Sequence, residues 1–369
     1  MHGVHHVAGD AALVSLLDYE AAAGRTLSPP AAAYYRSGAG DELSLEENLV
    51  SWRRFRLRPR MLVGVGERST ATTVLGAPVR LPVLLAPTAM QRLAHPDGEL
   101  GTARAAAAAG TIMTLSTVAT ASIEQVAEAR AAVDPGAAGW FQLYPQRDRG
   151  LTRALVDRAA AAGYAAIVVT VDSPVFGHRE SDAREPLHLP DGLSLENFRG
   201  LPGYEERADV GILQRFIAQQ DPDFDWDDVA ALCAESPIPV VLKGILRGDD
   251  AARAADAGAA GVVVSNHGGR QLDRTVAPAD ALRTVVEAAG GRLEVLVDGG
   301  VRRGVDVLIA IALGARAVLV GRPVLWGLAV DGEAGVRAVL DMLAADVDRA
   351  MALAGCRTVA EIRSDLLAG

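Results

Sequence analysis

The sequence predicts a (β/α)₈ TIM barrel over residues 82–369, and three observations lead to this fold class. Eight short runs rich in Val, Ile and Leu follow one another along this part of the chain. The runs lack polar alternation, as expected of parallel strands that are covered on both faces. Amphipathic segments separate the runs, and several of these segments end in glycine, a common helix stop. Eight such units favour a closed barrel over an open doubly wound sheet.

The eight strands are assigned to these runs in chain order. They cover residues 82–90, 112–117, 140–144, 165–172, 239–244, 260–269, 294–300 and 317–323. An open dinucleotide-binding sheet would carry G-x-G-x-x-G after its first strand. The segment "GVGERS" at 64–69 has only two of these glycines and no helical pattern behind it, which argues against that alternative.

Two segments lie outside the repeat. Residues 1–81 contain the helical "AALVSLLDYEAAAG" and the loop-like "YYRSGAGDE", and we predict that they form an N-terminal cap across the barrel. Residues 173–224, after the fourth strand, are rich in Pro, Gly, Asp and Arg without clear periodicity, and a connection this long indicates a lid. The tail "VRAVLDMLAADVDRAMALAG" predicts one long final helix. Residues 1–369 are therefore predicted to form a single domain.

Charge and composition exclude several kinds of partner. The net charge of −10 argues against nucleic acid and against an anionic membrane surface. No run approaches the roughly 18–20 apolar residues of a membrane span, and no signal peptide is recognisable. Cys233 and Cys356 lack metal-ligand spacing, so we expect reduced thiols in a cytoplasmic protein that binds no metal.

Polar side chains stand at the ends of the apolar runs. Because active sites of such barrels lie at the C-terminal ends of the strands, these side chains are predicted to meet in one basin. They are Thr88, Ser116, Gln142, Tyr144, Thr170, Asp172, Lys243, Ser265, His267, Arg270, Asp298, Gly299, Gly321 and Arg322.

His267 is the candidate general base of this basin, since imidazole titrates near physiological pH. Asp172 is expected to stabilise the protonated imidazole and to raise its pKa. Arg270, with Arg179 from the predicted lid, is suited to hold a substrate carboxylate by bidentate hydrogen bonds.

Lys243 is the only lysine among the 36 Lys and Arg residues, and it ends a buried strand. An unpaired ammonium there would be costly, so an anionic or electron-rich partner is required. Two uses remain open from the residues alone: a Schiff base, as in barrel aldolases, or stabilisation of a reduced flavin.

The last two strands end in "DGGVRRG" and "GRP", which are typical of a phosphate site. Glycine exposes backbone N–H groups, a helix follows, and Arg302 and Arg322 add positive charge. Phosphate sites of these barrels lie after strands seven and eight. Together with Lys243, the pattern favours flavin mononucleotide, FMN, as the cofactor.

The segment "SNHGGRQLD" resembles the signature of the FMN-dependent 2-hydroxy-acid oxidases and dehydrogenases, the family of glycolate oxidase, lactate oxidase and mandelate dehydrogenase. The resemblance extends from about residue 12 to about residue 365 and includes "YYRSGAGDE", "APTAMQRLAHPDGE", "TVDSP", "VDGGVRRG" and "GRP". It implies oxidation of an L-2-hydroxy acid to the 2-oxo acid, with FMN as cofactor, O2 as acceptor and H2O2 as product. It also implies a homo-oligomer, namely a tetramer.

The resemblance assigns roles to individual positions. His267 would take the substrate proton with support from Asp172, and Lys243 would stabilise the reduced flavin. The substrate would contact Tyr34, Tyr144, Arg179, His267 and Arg270. The flavin would contact Pro87, Thr88, Ala89, Ser116, Gln142, Thr170, Lys243 and Ser265, and its phosphate Asp298, Gly299, Gly300, Arg302, Gly321 and Arg322.

Three positions bear on substrate and acceptor. Val118 stands where glycolate oxidase has a tryptophan, which would enlarge the substrate pocket. Phe176 replaces a smaller aliphatic residue and would pack on an apolar or aromatic substituent. Ala89 stands where the oxidases have alanine, which favours O2. The alternative is a dehydrogenase of the same substrates that uses a quinone or another carrier.

Overall fold

The computed structural model describes residues 13–201 and 212–368, and a closed parallel barrel is its centre. Within these residues the strands are β1 (Thr72–Val74), β2 (Ala77–Val79), β3 (Val83–Leu85), β4 (Met113–Leu115), β5 (Gly139–Leu143), β6 (Ala166–Thr170), β7 (Val240–Ile245), β8 (Gly261–Val264), β9 (Glu294–Val297) and β10 (Ala317–Val320). Strands β3 to β10 pair in sequence order, and β10 closes the barrel against β3. The predicted fold class is confirmed.

Six of the eight barrel strands are shorter than the apolar runs that predicted them, whereas β5 and β7 have the predicted length but are shifted by one residue. Strand β8 ends at Val264, so Ser265 and His267 already belong to the following loop. The barrel interior below these loops is filled by side chains such as Leu84, Trp140 and Val263, which are fully buried. Ser265 and His267 therefore lie in a loop at the rim of the barrel, whereas the polar residues Gln142, Thr170 and Lys243 lie within β5, β6 and β7.

Helices surround the barrel and connect its strands. They are α1 (Leu16–Thr26), α2 (Pro29–Arg36), α3 (Leu43–Trp52), α4 (Gly98–Ala109), α5 (Ile123–Ala131), α6 (Arg149–Ala161), α7 (Glu180–Arg184), α8 (Ile212–Gln219), α9 (Trp226–Glu235), α10 (Gly248–Asp256), α11 (Pro278–Ala289), α12 (Gly304–Ala312) and α13 (Arg322–Ala354). The predicted final helix is part of α13, which begins earlier and is interrupted at Asp331 and Gly332, where the backbone leaves helical geometry.

The N-terminal segment packs on both ends of the barrel, whereas the sequence predicted a cap alone. Helices α2 and α3 contribute to the C-terminal end, and Tyr34 and Tyr35 lie in the last turn of α2 instead of in the predicted loop. The hairpin β1–β2 lies at the N-terminal end, where buried Val74 joins the side chains of the barrel interior. The backbone N–H of Leu75 donates to Glu294 at the start of β9 at 2.8 Å.

The predicted lid, residues 173–224, contains more regular structure than its sequence indicated. It includes the short helix α7 and the helix α8, and the lid residues 202–211 lie outside the described residues. Leu195, Phe198 and Phe216 are fully buried. The absence of periodicity was therefore misleading, because short helices anchored by a few apolar residues leave little pattern in a sequence.

None of the helices in the described part of the chain combines the length and the apolar character needed to cross a membrane.

Candidate active site

A cavity opens at the C-terminal end of the barrel. About 1160 Å³ inside it is not filled by protein atoms, and part of this space is open to solvent. Of the predicted site residues, the cavity is lined by Tyr34, Pro87, Thr88, Ala89, Ser116, Val118, Gln142, Tyr144, Thr170, Phe176, Arg179, Lys243, His267, Arg270, Asp298, Gly299, Gly300, Arg302, Gly321 and Arg322. Asp172 and Ser265 do not line the cavity themselves but contact residues that do. Asp172 pairs with His267, and Ser265 accepts a hydrogen bond from Lys243.

His267 forms a pair with a carboxylate. Its Nδ1 lies 2.8 Å from Asp172 Oδ1, across the mouth of the barrel from β8 to the residue after β6. The φ angle of His267 is 58°, and Gly268 and Gly269 follow at 65° and 76°. A left-handed backbone is unusual for histidine and concentrates at functional sites. The turn at these three residues directs the imidazole into the cavity.

The pKa of His267 depends on burial as well as on Asp172, which raises it as predicted. Burial lowers its pKa below the ordinary value, and this effect outweighs the opposing effect of Asp172. The positive charges of Lys243 and Arg270 lower the pKa further. For Asp172, burial opposes ionisation, but His267 and Lys243 bring its pKa below the ordinary value. The pair is therefore a neutral imidazole beside a carboxylate, which is the form that accepts a proton.

Lys243 is buried but not unpaired. Its Nζ lies 3.0 Å from Asp298 Oδ2 and donates to Ser265 Oγ at 2.9 Å. Burial lowers the pKa of the amine, yet Asp298 and Asp172 together raise it above the ordinary value. A Schiff-base nucleophile needs a neutral amine. The raised pKa favours a fixed positive charge instead, and so disfavours the aldolase alternative.

Two arginines flank the ring of Tyr34 at one side of the cavity. The guanidinium of Arg270 lies 5.0 Å from the ring centroid and that of Arg179 5.6 Å. Arg179 pairs with Asp182 at 3.0 Å, whereas Arg270 donates to backbone carbonyls of Tyr34 and Ser37 at 2.7 and 2.8 Å. Burial and the adjacent Arg179 lower the pKa of Arg270 to about 10. This side of the cavity can bind a carboxylate.

Two further arginines, both partly buried, follow β9 and β10. Arg322 donates to three carbonyls, those of Tyr35, Gly268 and Ser37, at 3.0 to 3.1 Å. Within residues 13–201 and 212–368, neither Arg302 nor Arg322 forms a side-chain ion pair with a carboxylate. Burial lowers the pKa of Arg302 to about 10 and that of Arg322 to about 9. Two partly buried cations without a carboxylate partner are suited to bind a phosphate.

The glycines beside these arginines leave no room for other residues. Gly299 and Gly300 have φ angles of 89° and 77°. A Cβ at Gly300 would clash with the carbonyl oxygen of Asn48. The Nε of Arg302 and the Oδ1 of Asp298 are buried without a hydrogen-bond partner. These orphaned groups and the unpaired cations fit the phosphate and the sugar hydroxyls of FMN.

A fixed network of neutral polar groups lines the opposite part of the cavity. Gln142 Nε2 donates to Thr170 Oγ1 at 2.9 Å, and Gln142 Oε1 accepts from Ser116 Oγ at 3.3 Å. Gln91 Nε2 donates to Thr88 Oγ1 at 3.0 Å. Neutral donors and acceptors held in this way suit the polar edge of a flavin ring.

An apolar side of the cavity is formed by Val118, Phe176 and the ring of Tyr144. Val118 is 3% exposed, and Tyr144 packs edge-on against Phe216 of α8 with centroids 5.6 Å apart. Burial raises the pKa of Tyr144, so its hydroxyl stays protonated and can donate a hydrogen bond.

Several residues that support the site escaped sequence-based reasoning. The amides of Asn48 and Asn266 form two reciprocal hydrogen bonds of 2.8 Å between α3 and the loop after β8. Asp273 accepts from the backbone N–H of Ser44 at 2.8 Å. Glu99, fully buried, accepts from Gln91 N and Thr120 N at 2.9 Å each. Most of these hydrogen bonds join residues that are far apart in sequence, so the pairs could not be recognised from it. Only the polar residues of "SNHGGRQLD" indicated that this segment has a special role.

Comparison with known proteins gives a consistent result. The family model for FMN-dependent dehydrogenase matches residues 23–369. L-lactate oxidase of Nostoc sp. (strain PCC 7120) is 53% identical over 357 residues, which are 96% of this chain and 98% of that protein. Glycolate oxidase 3 of Arabidopsis thaliana is 47% identical over 352 residues, which are 95% of this chain and 94% of that protein. A crystal structure of mandelate oxidase with (S)-4-hydroxymandelic acid superposes with a TM-score of 0.89 at 44% identity, covering 96% of this chain and 98% of that one.

Proposed function

The chain belongs to the family of FMN-dependent dehydrogenases, and from this membership we propose that it is an oxidase of L-2-hydroxy acids. The hydroxy acid loses two electrons and two protons to become the 2-oxo acid, and O2 takes them up as H2O2. The observation that carries the proposal is the His267–Asp172 pair at 2.8 Å, which lies in one cavity with Arg270 and Lys243.

The chain provides a binding place for each part of the substrate. Arg270 and Arg179 hold the carboxylate, with Tyr34 between them and the hydroxyl of Tyr144 as a further donor. This orientation places the 2-hydroxyl group towards His267. The neutral imidazole takes the substrate proton, and Asp172 stabilises the imidazolium that forms.

FMN, when bound, accepts the two electrons of the substrate and passes them to O2. Lys243 would supply the fixed positive charge that stabilises the reduced ring. The residues that would hold the ring are Thr88, Ser116, Gln142, Thr170 and Ser265, together with Pro87 and Ala89. Arg302, Arg322, Gly299, Gly300 and Gly321 hold the phosphate.

Asp298 takes a different role from the one that the sequence indicated. A carboxylate would repel the phosphate, and its Oδ2 is already paired with Lys243 at 3.0 Å. We therefore propose that Asp298 is the ion-pair partner of Lys243. Its Oδ1, which has no hydrogen-bond partner in the protein, would accept a hydrogen bond from a hydroxyl of the cofactor.

The test of the reaction is anaerobic bleaching of the flavin by a panel of L-2-hydroxy acids: glycolate, lactate, long-chain acids and mandelate. At least one acid should bleach the yellow enzyme, and the D-enantiomer of any chiral acid that does so should not. A yellow protein that no member of the panel bleaches would contradict the proposed function.

The acceptor is tested separately by mixing the reduced enzyme with O2 in a stopped-flow instrument. Fast return of the yellow colour with release of H2O2 is expected of an oxidase. Very slow return, accelerated by a quinone, would favour the alternative, a dehydrogenase of the same acids.

The apolar side of the cavity indicates which acids are preferred. Val118 leaves space, and the ring of Phe176 is fixed with Arg179 lying 5.6 Å from its centroid. We propose that branched or aromatic side chains are accepted there. Val118→Trp should fill this space and lower kcat/KM for mandelate more than for glycolate.

We propose further that the protein is a cytoplasmic homo-oligomer, as its resemblance implies. Both cysteines are free thiols, and Met61, Leu62 and Leu353 are large apolar side chains on the surface. Light scattering at several protein concentrations tests the assembly, for which a tetramer is expected and a monomer would contradict the proposal.

A further inference from the structure

The side chain of Gln271 connects two segments that carry the site. Its Nε2 donates to the carbonyl oxygens of Asp172 and Val175 at 3.0 and 3.1 Å. Its Oε1 accepts from the backbone N–H of Gly177 at 3.1 Å. One amide thus binds three backbone groups at the start of the lid, while its own backbone follows Arg270 in the loop after β8.

The two segments also touch directly at Gly177. A Cβ at this position would clash with the carbonyl oxygen of Arg270 and would lie 2.7 Å from the Cα of Gln271. The absence of a side chain therefore lets the lid backbone rest on the base-bearing loop. Beyond Gly177, the carbonyl of His178 accepts from the N–H of Gly40 at 3.0 Å.

The residues held in this way are the ones that face the substrate. Phe176 and Arg179 lie on either side of Gly177 and line the cavity. The His267–Asp172 pair has separate support, because the backbone beyond β6 is bonded to β7, with Val171 N donating to Lys243 O at 2.9 Å. Loss of Gln271 would therefore release the lid while leaving the proton-accepting pair in place.

We propose that Gln271 is a positioning residue that holds the start of the lid against the loop of His267 and so fixes Phe176 and Arg179 over the substrate. The inference rests on the proposed function. It predicts that Gln271 acts on substrate binding and not on the proton transfer itself.

Gln271→Ala tests the proposal, with Leu272→Ala as the matched control, since Leu272 is the next residue and is 75% exposed. For the best acid of the panel, Gln271→Ala should raise KM roughly tenfold, as expected for lost hydrogen bonds, with little change in kcat. The pH dependence of kcat should stay as in the wild type. Leu272→Ala should change none of these quantities.

Gln271→Glu separates hydrogen bonding from size. A carboxylate has nearly the same shape but cannot donate to the carbonyls of Asp172 and Val175. We expect it to raise KM at least as much as the alanine. Gly177→Ala should do the same by pushing the lid away, and it keeps the proposal testable if Gln271→Ala does not fold.

Hydrogen exchange of the peptide covering residues 173–179 gives a readout that does not depend on activity. It should be faster in Gln271→Ala than in the wild type, and unchanged in Leu272→Ala. Unchanged exchange with unchanged KM would overturn the inference, as would a fall in kcat at constant KM. If the wild type oxidises no acid, the proposed function fails, and the exchange experiment still decides whether Gln271 holds the lid.

Discussion

His267 joins a left-handed backbone to a buried ring, and this combination decides how the residue must be tested. His267→Asn removes the base but retains a side chain that tolerates a φ of 58°. The variant should stay yellow, and flavin reduction should be slower by roughly 10²–10⁴-fold, the usual contribution of general base catalysis. Stopped-flow absorbance measures this rate, and near-normal reduction would exclude His267 as the base.

The pKa of His267 predicts the pH profile. Because burial keeps this pKa below its ordinary value, the imidazole is neutral at pH 7, and kcat/KM should fall only as the pH drops through the lowered pKa. Asp172→Asn removes the negative charge that raises this pKa, while burial, Lys243 and Arg270, which lower it, remain. The acidic limb of kcat/KM should therefore move to lower pH, while kcat decreases because the imidazolium loses its partner. A limb that moves to higher pH would contradict this balance.

Arg302 is better suited to substitution than Arg322, because Arg322 also binds three backbone carbonyls and so supports the local structure. Arg302→Gln removes the charge beside the phosphate site while keeping a polar side chain. FMN affinity should fall by roughly 10–100-fold, the effect of losing a hydrogen bond to a charged group. Titration of the apoprotein with FMN, followed by flavin fluorescence, measures it. Riboflavin, which lacks the phosphate, should bind wild type and variant equally.

Among the secondary-structure elements, the hairpin β1–β2 is the clearest example of an element with a structural role alone. Val74 is fully buried among side chains of the barrel interior, at the end opposite to the cavity. Val74→Ala should lower the free energy of unfolding by about 2 kcal/mol, the cost of deleting two buried methyl groups. Urea denaturation measures the loss, and kcat and KM should not change.

The elements also show what a sequence can predict. The eight strands were recognisable because each is buried on both faces, so that its apolar run has no polar interruption. The ends of the strands could not be recognised in the sequence, because a run such as 260–269 continues past Val264 into the loop of His267. The helix α8 and the interruption at Gly332 escaped because they depend on contacts with other elements.

The same distinction holds for the site. His267, Lys243 and Arg322 were recognisable because each is polar at the end of an apolar run. Gln271 and Glu99 were not recognisable, because each acts through hydrogen bonds to residues that only the fold brings near. Asp172 raises the pKa of His267 as predicted, but the larger, opposite effect of burial was not predicted, because the charge of Asp172 is visible in the sequence and the depth of burial is not.

At the scale of the whole molecule, the partly buried arginines connect cofactor binding to stability. Without an anion, Arg302 and Arg322 are partly buried cations with no carboxylate partner, and FMN would remove this cost only in the folded state. At an FMN concentration 100 times its Kd, the free energy of unfolding should rise by about 2.7 kcal/mol. Thermal unfolding of apoprotein and holoprotein measures the difference. Riboflavin at the same concentration should stabilise less, and equal stabilisation by both would contradict the role of the arginines.

The hairpin at the far end has a kinetic consequence for an oxidase of this shape. The hairpin closes the N-terminal end of the barrel, and side chains fill the barrel interior. We therefore expect the hydroxy acid, O2, the oxo acid and H2O2 to enter and leave at the C-terminal end, which the lid borders. Because substrates and products use the same opening, an oxo acid that is still bound obstructs the entry of O2. We therefore expect slow departure of the oxo acid to delay the reaction of the reduced enzyme with O2.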